Sequence, residues 1–158
     1  MEDIIKSIYE SRNTTIIALQ IKQLRRVCDC YELDDSALQI FEYVLQTYRD
    51  DAYIMFETFY TLSELYDNGA QIYTLDQSAI LDLLCTYDDE PVQCAVLHFL
   101  KSYMIVGFDK QPLQRLFQFI HDNISTCSIV LQYYLLEAGL ALIGNMSDLQ
   151  RQDLYDFI

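Results

Sequence analysis

Two histidines and five cysteines are the side chains of this 158-residue chain best suited to metal binding or nucleophilic attack. Cys94 and His98 lie four residues apart, which on a helix places them on one face as a candidate Cys–His pair. A histidine displayed on a surface is the simpler interpretation, and we favour it. Cys28 and Cys30 would point about 200° apart on a helix, so they cannot easily share a metal. Because the chain also has no phosphate-loop, dinucleotide-binding or nucleophile-elbow motif, we predict no catalytic residue, no metal site, no cofactor and no enzymatic activity.

Clusters of acidic residues are the other groups that could do chemistry, as calcium ligands or acid–base pairs. They occur at Asp34-Asp35, Asp50-Asp51 and Asp88-Asp89-Glu90. Each cluster lies in a predicted turn ahead of an apolar run, where a carboxylate can accept hydrogen bonds from the free N–H groups of a helix. None has the spacing of an EF-hand calcium loop. We therefore predict that these acids cap helices.

The chain carries 24 acidic and 10 basic residues, a formal net charge of −14. This charge would repel nucleic acids and anionic membrane surfaces, so we expect neither as a direct partner. No segment approaches the roughly 18 consecutive apolar residues of a membrane span, and the acidic N-terminus does not resemble a secretory signal. An odd number of cysteines within apolar patterns indicates free thiols in a reducing compartment. We expect an intracellular protein, cytoplasmic or nuclear.

Apolar residues recur at helical intervals along most of the chain, as in Leu38, Phe41, Val44 and Leu45, which indicates buried helix faces. Short polar breaks separate these runs, and short loops make consecutive helices antiparallel. With four glycines and two prolines, the chain lacks the turns of a many-stranded β fold. We predict an all-α domain with nine helices, at residues 2–11, 15–31, 36–48, 52–67, 76–86, 91–106, 111–123, 128–143 and 147–157.

A period of 38 residues relates the longer helices. Five apolar columns repeat four times at this interval: Ile16, Ile54, Val92 and Val130; Ile21, Phe59, Leu97 and Leu135; Leu24, Leu62, Leu100 and Ala138; Val27, Leu65, Tyr103 and Ala141; Cys28, Tyr66, Met104 and Leu142. This length is typical of stacked helix pairs, because each pair buries its apolar face only against the next pair. We therefore predict that the residues of one column have equivalent surroundings.

Residues 83–100 show the repeat pattern most completely. A helix ends in an acidic turn, Asp88 to Pro91, and Val92, a polar residue and Ala95 then lead into a helix rich in leucine. This segment resembles a HEAT repeat, and the chain is similar to HEAT and armadillo proteins, most closely over residues 76–106. The resemblance implies one domain, a right-handed α-solenoid of about four helical hairpins with a terminal helix. The corresponding ranges are residues 1–33, 34–68, 75–107 and 110–144 for the hairpins and 146–158 for the terminal helix.

The second helices of successive pairs line the concave face in solenoids of this kind, so the resemblance also indicates where a partner would bind. Three columns lie beside the apolar ones: Ala18, Phe56, Cys94 and Gln132; Lys22, Tyr60, His98 and Leu136; and Arg25, Ser63, Lys101 and Gly139. Aromatic rings and cations on one face are suited to gripping a peptide. We predict a non-catalytic scaffold or adaptor that binds a peptide or helix of another protein, with acidic residues, through Lys22, Arg25, Arg26, Phe56, Tyr60, His98 and Lys101. The alternative is a solvated face whose cations merely balance an acidic chain.

Other interpretations remain open. The terminal helix carries Leu149, Leu154 and Phe157, which predicts a cap, an end-to-end contact through which copies oligomerise, or a fragment of a longer solenoid. A compact bundle of the apoptosis-regulator type would bind partner helices in a groove. That fold wraps a central apolar helix and shows no 38-residue period, and no helix of this chain reads as apolar all round. We therefore favour the solenoid.

Overall fold

The computed structural model describes residues 1–28, 35–68, 75–103 and 109–145, together with Asp148 and Arg151. Over these residues the chain is helical and contains no strand. Eight helices follow one another: α1 (Glu2–Glu10), α2 (Thr14–Cys28), α3 (Asp35–Thr47), α4 (Ala52–Asp67), α5 (Gln77–Thr86), α6 (Glu90–Tyr103), α7 (Lys110–Asn123) and α8 (Ile129–Asn145). The predicted all-α class is therefore confirmed, and none of the helices in these ranges is long and apolar enough to cross a membrane.

The observed helix limits agree with the predicted ones to within about two residues wherever both are described. The predicted ends of the second and sixth helices, at residues 31 and 106, lie outside the described residues. So does the predicted ninth helix at 147–157, except for Asp148 and Arg151. The contact predicted for Leu149, Leu154 and Phe157 therefore stays a prediction.

Side-chain oxygens cap the beginning of several helices. Asp51 Oδ1 accepts a hydrogen bond from the backbone N–H three residues ahead, in α4, at 3.0 Å. Asp89 Oδ1 does the same in α6, also at 3.0 Å, and Asn13 Oδ1 caps α2 at 3.0 Å. The prediction that the acidic turns cap helices is confirmed for Asp51 and Asp89, while the side chains of Asp34 and Asp35 lie outside the described residues.

The even-numbered helices form one row. α4 packs against both α2 and α6, and α6 packs in turn against α8. Each odd-numbered helix packs against the even-numbered helix that follows it, and α1 contacts α3 as α5 contacts α7. Within the described chain, α4 and α6 thus have two even-numbered neighbours each, whereas α2 and α8, at the ends of the row, have one.

Hydrogen bonds also join residues that lie one sequence period apart. Ser128 Oγ, just ahead of α8, donates to Glu90 Oε1 in α6 at 2.6 Å. The Tyr87 hydroxyl, just after α5, donates to the backbone carbonyl of Arg49, just after α3. Both pairs are 38 residues apart. At these positions the sequence period corresponds to a contact between consecutive helix pairs.

Burial follows the apolar columns only in part. Two columns are buried in every helix of the even row: Ile21, Phe59, Leu97 and Leu135; Leu24, Leu62, Leu100 and Ala138. In another column, Ile54 and Val92 expose 0% and 1% of their surface, but Ile16 and Val130 expose 42% and 53%. The prediction that one column has equivalent surroundings throughout is therefore wrong for this column.

Among the described helices, α2 and α8 bury a narrower arc because each has one even-numbered neighbour instead of two. The column of Leu19 shows the same division. Glu57 in α4 and Ala95 in α6 are buried, whereas Leu19 in α2 and Tyr133 in α8 are exposed. Position in the row, which the sequence period does not encode, decides burial at these two columns.

Candidate binding surface

Four aromatic rings form a continuous ladder across α4, α6 and α8. Phe56 and Tyr60 stack within α4, with centroids 5.9 Å apart and planes inclined by 18°. The Tyr60 ring lies 6.3 Å from the imidazole of His98 in α6, which lies 6.0 Å from the ring of Tyr134 in α8, edge to face. All four side chains are partly exposed. A ligand can therefore reach this aromatic ladder, defined by Phe56, Tyr60, His98 and Tyr134.

Arg25 extends the surface to α2. Its guanidinium carbon lies 4.7 Å from the centroid of the Tyr60 ring, which is a cation–π distance. Within the part of the chain that the structure describes, no carboxylate forms an ion pair with Arg25. Because a guanidinium has five N–H donors in a planar fork, Arg25 can contact the ring and still donate to a carboxylate of a ligand.

Two lysines flank the aromatic ladder, each beside a glutamate. Lys22 Nζ lies 3.8 Å from Glu57 Oε1, on a carboxylate that is almost fully buried. Lys101 Nζ donates to Glu137 Oε2 at 2.9 Å, and the Tyr133 hydroxyl donates to the other oxygen at 2.8 Å. The hydrogen bond from Lys101, followed by that from Tyr133, lowers the pKa of Glu137, and the same bond raises the pKa of Lys101. Both groups of this pair are therefore charged at neutral pH.

The structure brings six of the seven residues predicted for partner binding onto this surface: Lys22, Arg25, Phe56, Tyr60, His98 and Lys101. The side chain of Arg26 is exposed and makes no ion pair, hydrogen bond or ring contact with the rest of the described chain. The same columns predicted Ala18, Cys94 and Ser63 on this face, and that part of the prediction is wrong because all three are buried. Small side chains of this kind are readily covered where helices pack closely, and the Ser63 hydroxyl bonds to the carbonyl of Phe59 in its own helix at 2.9 Å.

Glu57, Tyr134 and Glu137 belong to the surface but were not predicted from the sequence. Glu137 lies 36 residues after its partner Lys101, and Tyr134 lies equally far after His98, which is short of a full period. Long side chains on adjacent helices meet without occupying equivalent positions, so a strict period does not find them. A usable signal was the i, i+3 spacing of Tyr134 and Glu137, which places them on one helix face.

His98 and Cys94 do not have the geometry and charge state of a nucleophile pair. The Nδ1 atom of His98 is buried without a hydrogen-bond partner among the described residues, and the ring lies between those of Tyr60 and Tyr134. Burial of the Cys94 thiol, with a smaller contribution from Glu90, raises its pKa to about 11. The thiol is therefore protonated at neutral pH, whereas nucleophilic attack requires the thiolate. His98 instead acts as a flat ring within the aromatic ladder.

A cleft of about 430 Å³ lies between α3 and α5. Its lining combines apolar side chains with a few charged ones: Glu42, Leu45, Gln46, Arg49, Leu75, Asp76, Ala79, Ile80, Asp82 and Leu83. Two of its carboxylates are already engaged, since Asp76 caps α5 and Asp82 accepts a hydrogen bond from Arg115 at 2.6 Å. Over the described ranges, no three His, Cys, Asp or Glu side chains are grouped to hold a metal ion. The aromatic ladder is therefore the stronger candidate for a functional site.

Comparisons with known proteins supply no relative from which a function could be transferred. The chain matches no protein-family model, no curated protein and no solved structure. The resemblance to HEAT and armadillo repeats therefore stays a prediction. A functional proposal depends on the aromatic ladder, its cations and the order in which the helices pack.

Proposed function

We propose that the chain is a right-handed α-solenoid of HEAT or armadillo type, with helical hairpins at residues 1–33, 34–68, 75–107 and 110–144. Two observations support this arrangement. The even-numbered helices contact one another in chain order, and hydrogen bonds join residues 38 positions apart. A compact bundle wrapped around one central helix is less favoured, because α4 and α6 share the inner position in the even row.

We propose that this protein is a non-catalytic scaffold that binds a segment of another protein along the aromatic ladder. The observation that carries the proposal is the ladder itself, which crosses three helices and is flanked by cations from α2 and α6. Aromatic rings supply large contact areas at a low cost in side-chain entropy, and they dominate the energetics of protein interfaces. A partly exposed row of rings is therefore suited to covering by a peptide or a helix.

Charge indicates that this segment contains acidic residues. The chain as a whole has a net charge of −14, yet this surface gathers three of its ten basic side chains, Lys22, Arg25 and Lys101, among the carboxylates of Glu57, Glu137 and Asp67. An acidic segment would be repelled by most of the protein and attracted here, and such complementarity favours one binding position over others. Arg25, which has no ion pair within the described chain, is the cation best placed to receive a carboxylate.

The dimensions of the ladder set the length of the segment. Successive centroids are 5.9, 6.3 and 6.0 Å apart, so the ladder extends at most about 18 Å, which corresponds to roughly five residues of extended chain or roughly three turns of helix. A short linear motif or one helix face is therefore the expected ligand.

A peptide selection tests this proposal even though the partner is unidentified. A display library of random 12-residue peptides is selected on the immobilised full chain, and the affinities of enriched peptides are measured by fluorescence anisotropy. We expect Asp or Glu beside an aromatic or aliphatic residue. Arg25→Glu should weaken binding at least tenfold, because it removes a charge-assisted hydrogen bond and adds a repulsive charge. Tyr60→Ala should weaken it similarly, because it interrupts the ladder.

Arg26→Glu is the matched control, since it makes the same change of charge one residue away, at a side chain that contacts no aromatic ring among the described residues. Its effect on affinity should be less than about threefold and should disappear at high salt. Circular dichroism and thermal melts confirm that each variant is folded. Equal losses of affinity with Arg25→Glu and Arg26→Glu would mean that peptides are attracted by the general electrostatic field and not by a specific contact with Arg25. Selected peptides that bind all the variants as tightly as the natural chain would locate binding elsewhere.

A further inference from the structure

The helix α8 exposes a row of large apolar side chains. Ile129, Tyr133, Leu136, Leu140 and Ile143 each leave between 45% and 82% of their surface accessible. The opposite face of the same helix is buried against its neighbours through Leu131, Leu135, Ala138 and Leu142. α8 is therefore apolar on two sides, contrary to the expectation that no helix of the chain is apolar all round, and an apolar helix of this kind is normally covered. We call the five exposed side chains the α8 stripe.

The residues of the α8 stripe recur at intervals of four, three, four and three. This is the spacing of the two apolar positions of a heptad, which keeps a seam of side chains facing a second helix over several turns. Singly scattered apolar residues on a surface need no explanation. Five in this register form a surface suited to packing against another helix.

The α8 stripe is also uncharged on a strongly acidic protein. The only Asp, Glu, Lys or Arg in α8 is Glu137, and it is turned towards α6, where Lys101 Nζ lies 2.9 Å from its carboxylate. The Tyr133 hydroxyl bonds to the same carboxylate, which leaves the ring of Tyr133 in the stripe. Two copies of a chain with a net charge of −14 would repel each other over most of their surfaces. At the α8 stripe they can meet without burying a charge.

The exposed area is sufficient for a dimer. If each of the five side chains offers roughly 170 Å², the α8 stripe exposes roughly 500 Å² on each chain. Two copies packed stripe to stripe would bury roughly 1,000 Å², which is the smallest area expected of a specific protein interface. The other end of the even row offers less, because α2 exposes the two large apolar side chains Ile16 and Leu19 and then the polar residues Gln23 and Arg26.

We propose that the α8 stripe is a homodimer interface, in which two copies of the chain pack α8 against α8 about a two-fold axis. The same patch then serves both partners, and the assembly closes as a dimer. A head-to-tail contact between α8 and α2 would instead continue into longer assemblies. Tyr133 of the α8 stripe lies beside the aromatic ladder, with its ring centroid 5.5 Å from that of Tyr134, so the dimer interface borders the ladder at its α8 end. The dimer is argued from the exposed side chains of α8 and does not rest on the peptide-binding proposal.

Sedimentation velocity and light scattering on the full chain test the dimer. At micromolar concentration we expect twice the chain mass of 18.6 kDa, with no larger species. Leu140→Glu should weaken the dimer at least about a hundredfold, because the stripe would have to bury an unpaired carboxylate. Leu140 is 70% exposed, so this change should leave the melting temperature of the monomer and the affinity for selected peptides unchanged.

Leu19→Glu is the matched control on α2 and should leave the dimer intact. A cross-linking experiment tests which residues meet across the interface. Leu136 lies at the middle of the stripe, so Leu136→Cys should form an intermolecular disulfide under copper–phenanthroline. The natural chain and Gln23→Cys, on α2, report the background. Species larger than a dimer that Leu19→Glu dissolves would overturn the two-fold arrangement in favour of a head-to-tail one.

A monomer at every concentration would overturn the proposal, and so would a dimer that tolerates Leu140→Glu. A chain truncated after Asn145 tests whether residues 146–158 of the same chain, rather than a second copy, cover the α8 stripe. Dimerisation of the truncated chain alone would mean that residues 146–158 of the same chain cover the stripe in the natural protein, which also refutes the homodimer. Dimerisation of both forms, with loss in Leu140→Glu, supports it.

Discussion

The inner and end helices of the even row share one sequence period and differ in burial. Ile54 in α4 and Val92 in α6 are fully covered, whereas their counterparts Ile16 in α2 and Val130 in α8 are exposed. The column of Ile21, in contrast, is buried in all four helices. An apolar column therefore indicates positions that can be buried, and the number of neighbouring helices decides whether each of them is. Because α8 has one even-numbered neighbour within the described chain, its apolar stripe is exposed, and we propose that a second copy of the chain covers it.

The largest expected loss of stability comes from a substitution at the centre of the even row. Phe99 in α6 is fully buried, and its ring packs against those of Phe59, Tyr66 and Tyr103 at centroid distances of 5.7, 5.7 and 5.4 Å. Phe99→Ala should lower the free energy of unfolding by about 3–5 kcal/mol, since it removes ring contacts and leaves a cavity. Urea denaturation followed by circular dichroism measures the loss.

Tyr53→Ala provides the control for Phe99→Ala, because Tyr53 belongs to the inner helix α4 but is 48% exposed. We expect a loss below about 1 kcal/mol. If both substitutions destabilise the chain equally, membership of an inner helix rather than burial of the individual side chain determines stability.

The next largest effect on stability compares equivalent positions of one apolar column in an inner helix and an end helix. Ile54→Ala should cost about 2–5 kcal/mol, because the side chain is fully buried between helices. Ile16→Ala, the same substitution at the equivalent position of α2, should cost less than about 1 kcal/mol, since its side chain is largely exposed. Both values come from urea titrations at one protein concentration. A comparable loss at the two positions would mean that something covers Ile16 in solution.

Helix capping should not distinguish inner from end helices, because it is local. Asp51 caps α4 through a bond of 3.0 Å, and Asn13 caps α2 through bonds of 3.0 and 3.3 Å. Asp51→Ala and Asn13→Ala should each cost about 1 kcal/mol, as measured by thermal and urea denaturation. A negligible loss for Asn13→Ala alone would show that the first turn of α2 frays in the natural chain.

The sequence predicted the helices well because their signals are local. Apolar spacing and capping residues such as Asp51 and Asn13 are contained within a dozen residues. It predicted Lys22, Tyr60 and His98 on one surface because these positions follow the 38-residue period. The burial of Ala18 and Ser63 was missed because burial depends on how closely two helices approach, which the sequence of either helix does not specify.

The partners of the surface cations were harder to predict. Glu137 was missed because its contact with Lys101 depends on side-chain reach across two helices and lies at 36 residues rather than 38. The exposure of Ile16 and of the α8 stripe was missed for a different reason. A period describes the repeating unit, whereas the first and last helix pairs that the structure describes differ from the others in having one neighbour fewer, and the residues of the repeat do not record that difference.

The smallest expected effect concerns the polar link between α8 and the inner helix α6. The pKa of Glu137 is lowered by hydrogen bonds from Lys101 and then from Tyr133. A carboxylate with a lowered folded-state pKa stabilises the protein above the unfolded-state pKa, which is about 4.3 for glutamate, and this stabilisation is lost as the pH falls through the folded-state value. Because the pair is partly exposed, Glu137→Gln should cost no more than about 1 kcal/mol at pH 7.

Urea titrations at pH 7, 5, 4 and 3 should show the natural chain and Glu137→Gln converging as the pH falls below about 4.3, and salt should narrow their difference at pH 7. Glu10→Gln is the control, since Lys6 and Glu10 form a strongly exposed pair 3.9 Å apart within the single helix α1. Its effect should be smaller at every pH. If the difference for Glu137→Gln is as large at pH 3 as at pH 7, the glutamate joins the end helix to the row through packing rather than charge.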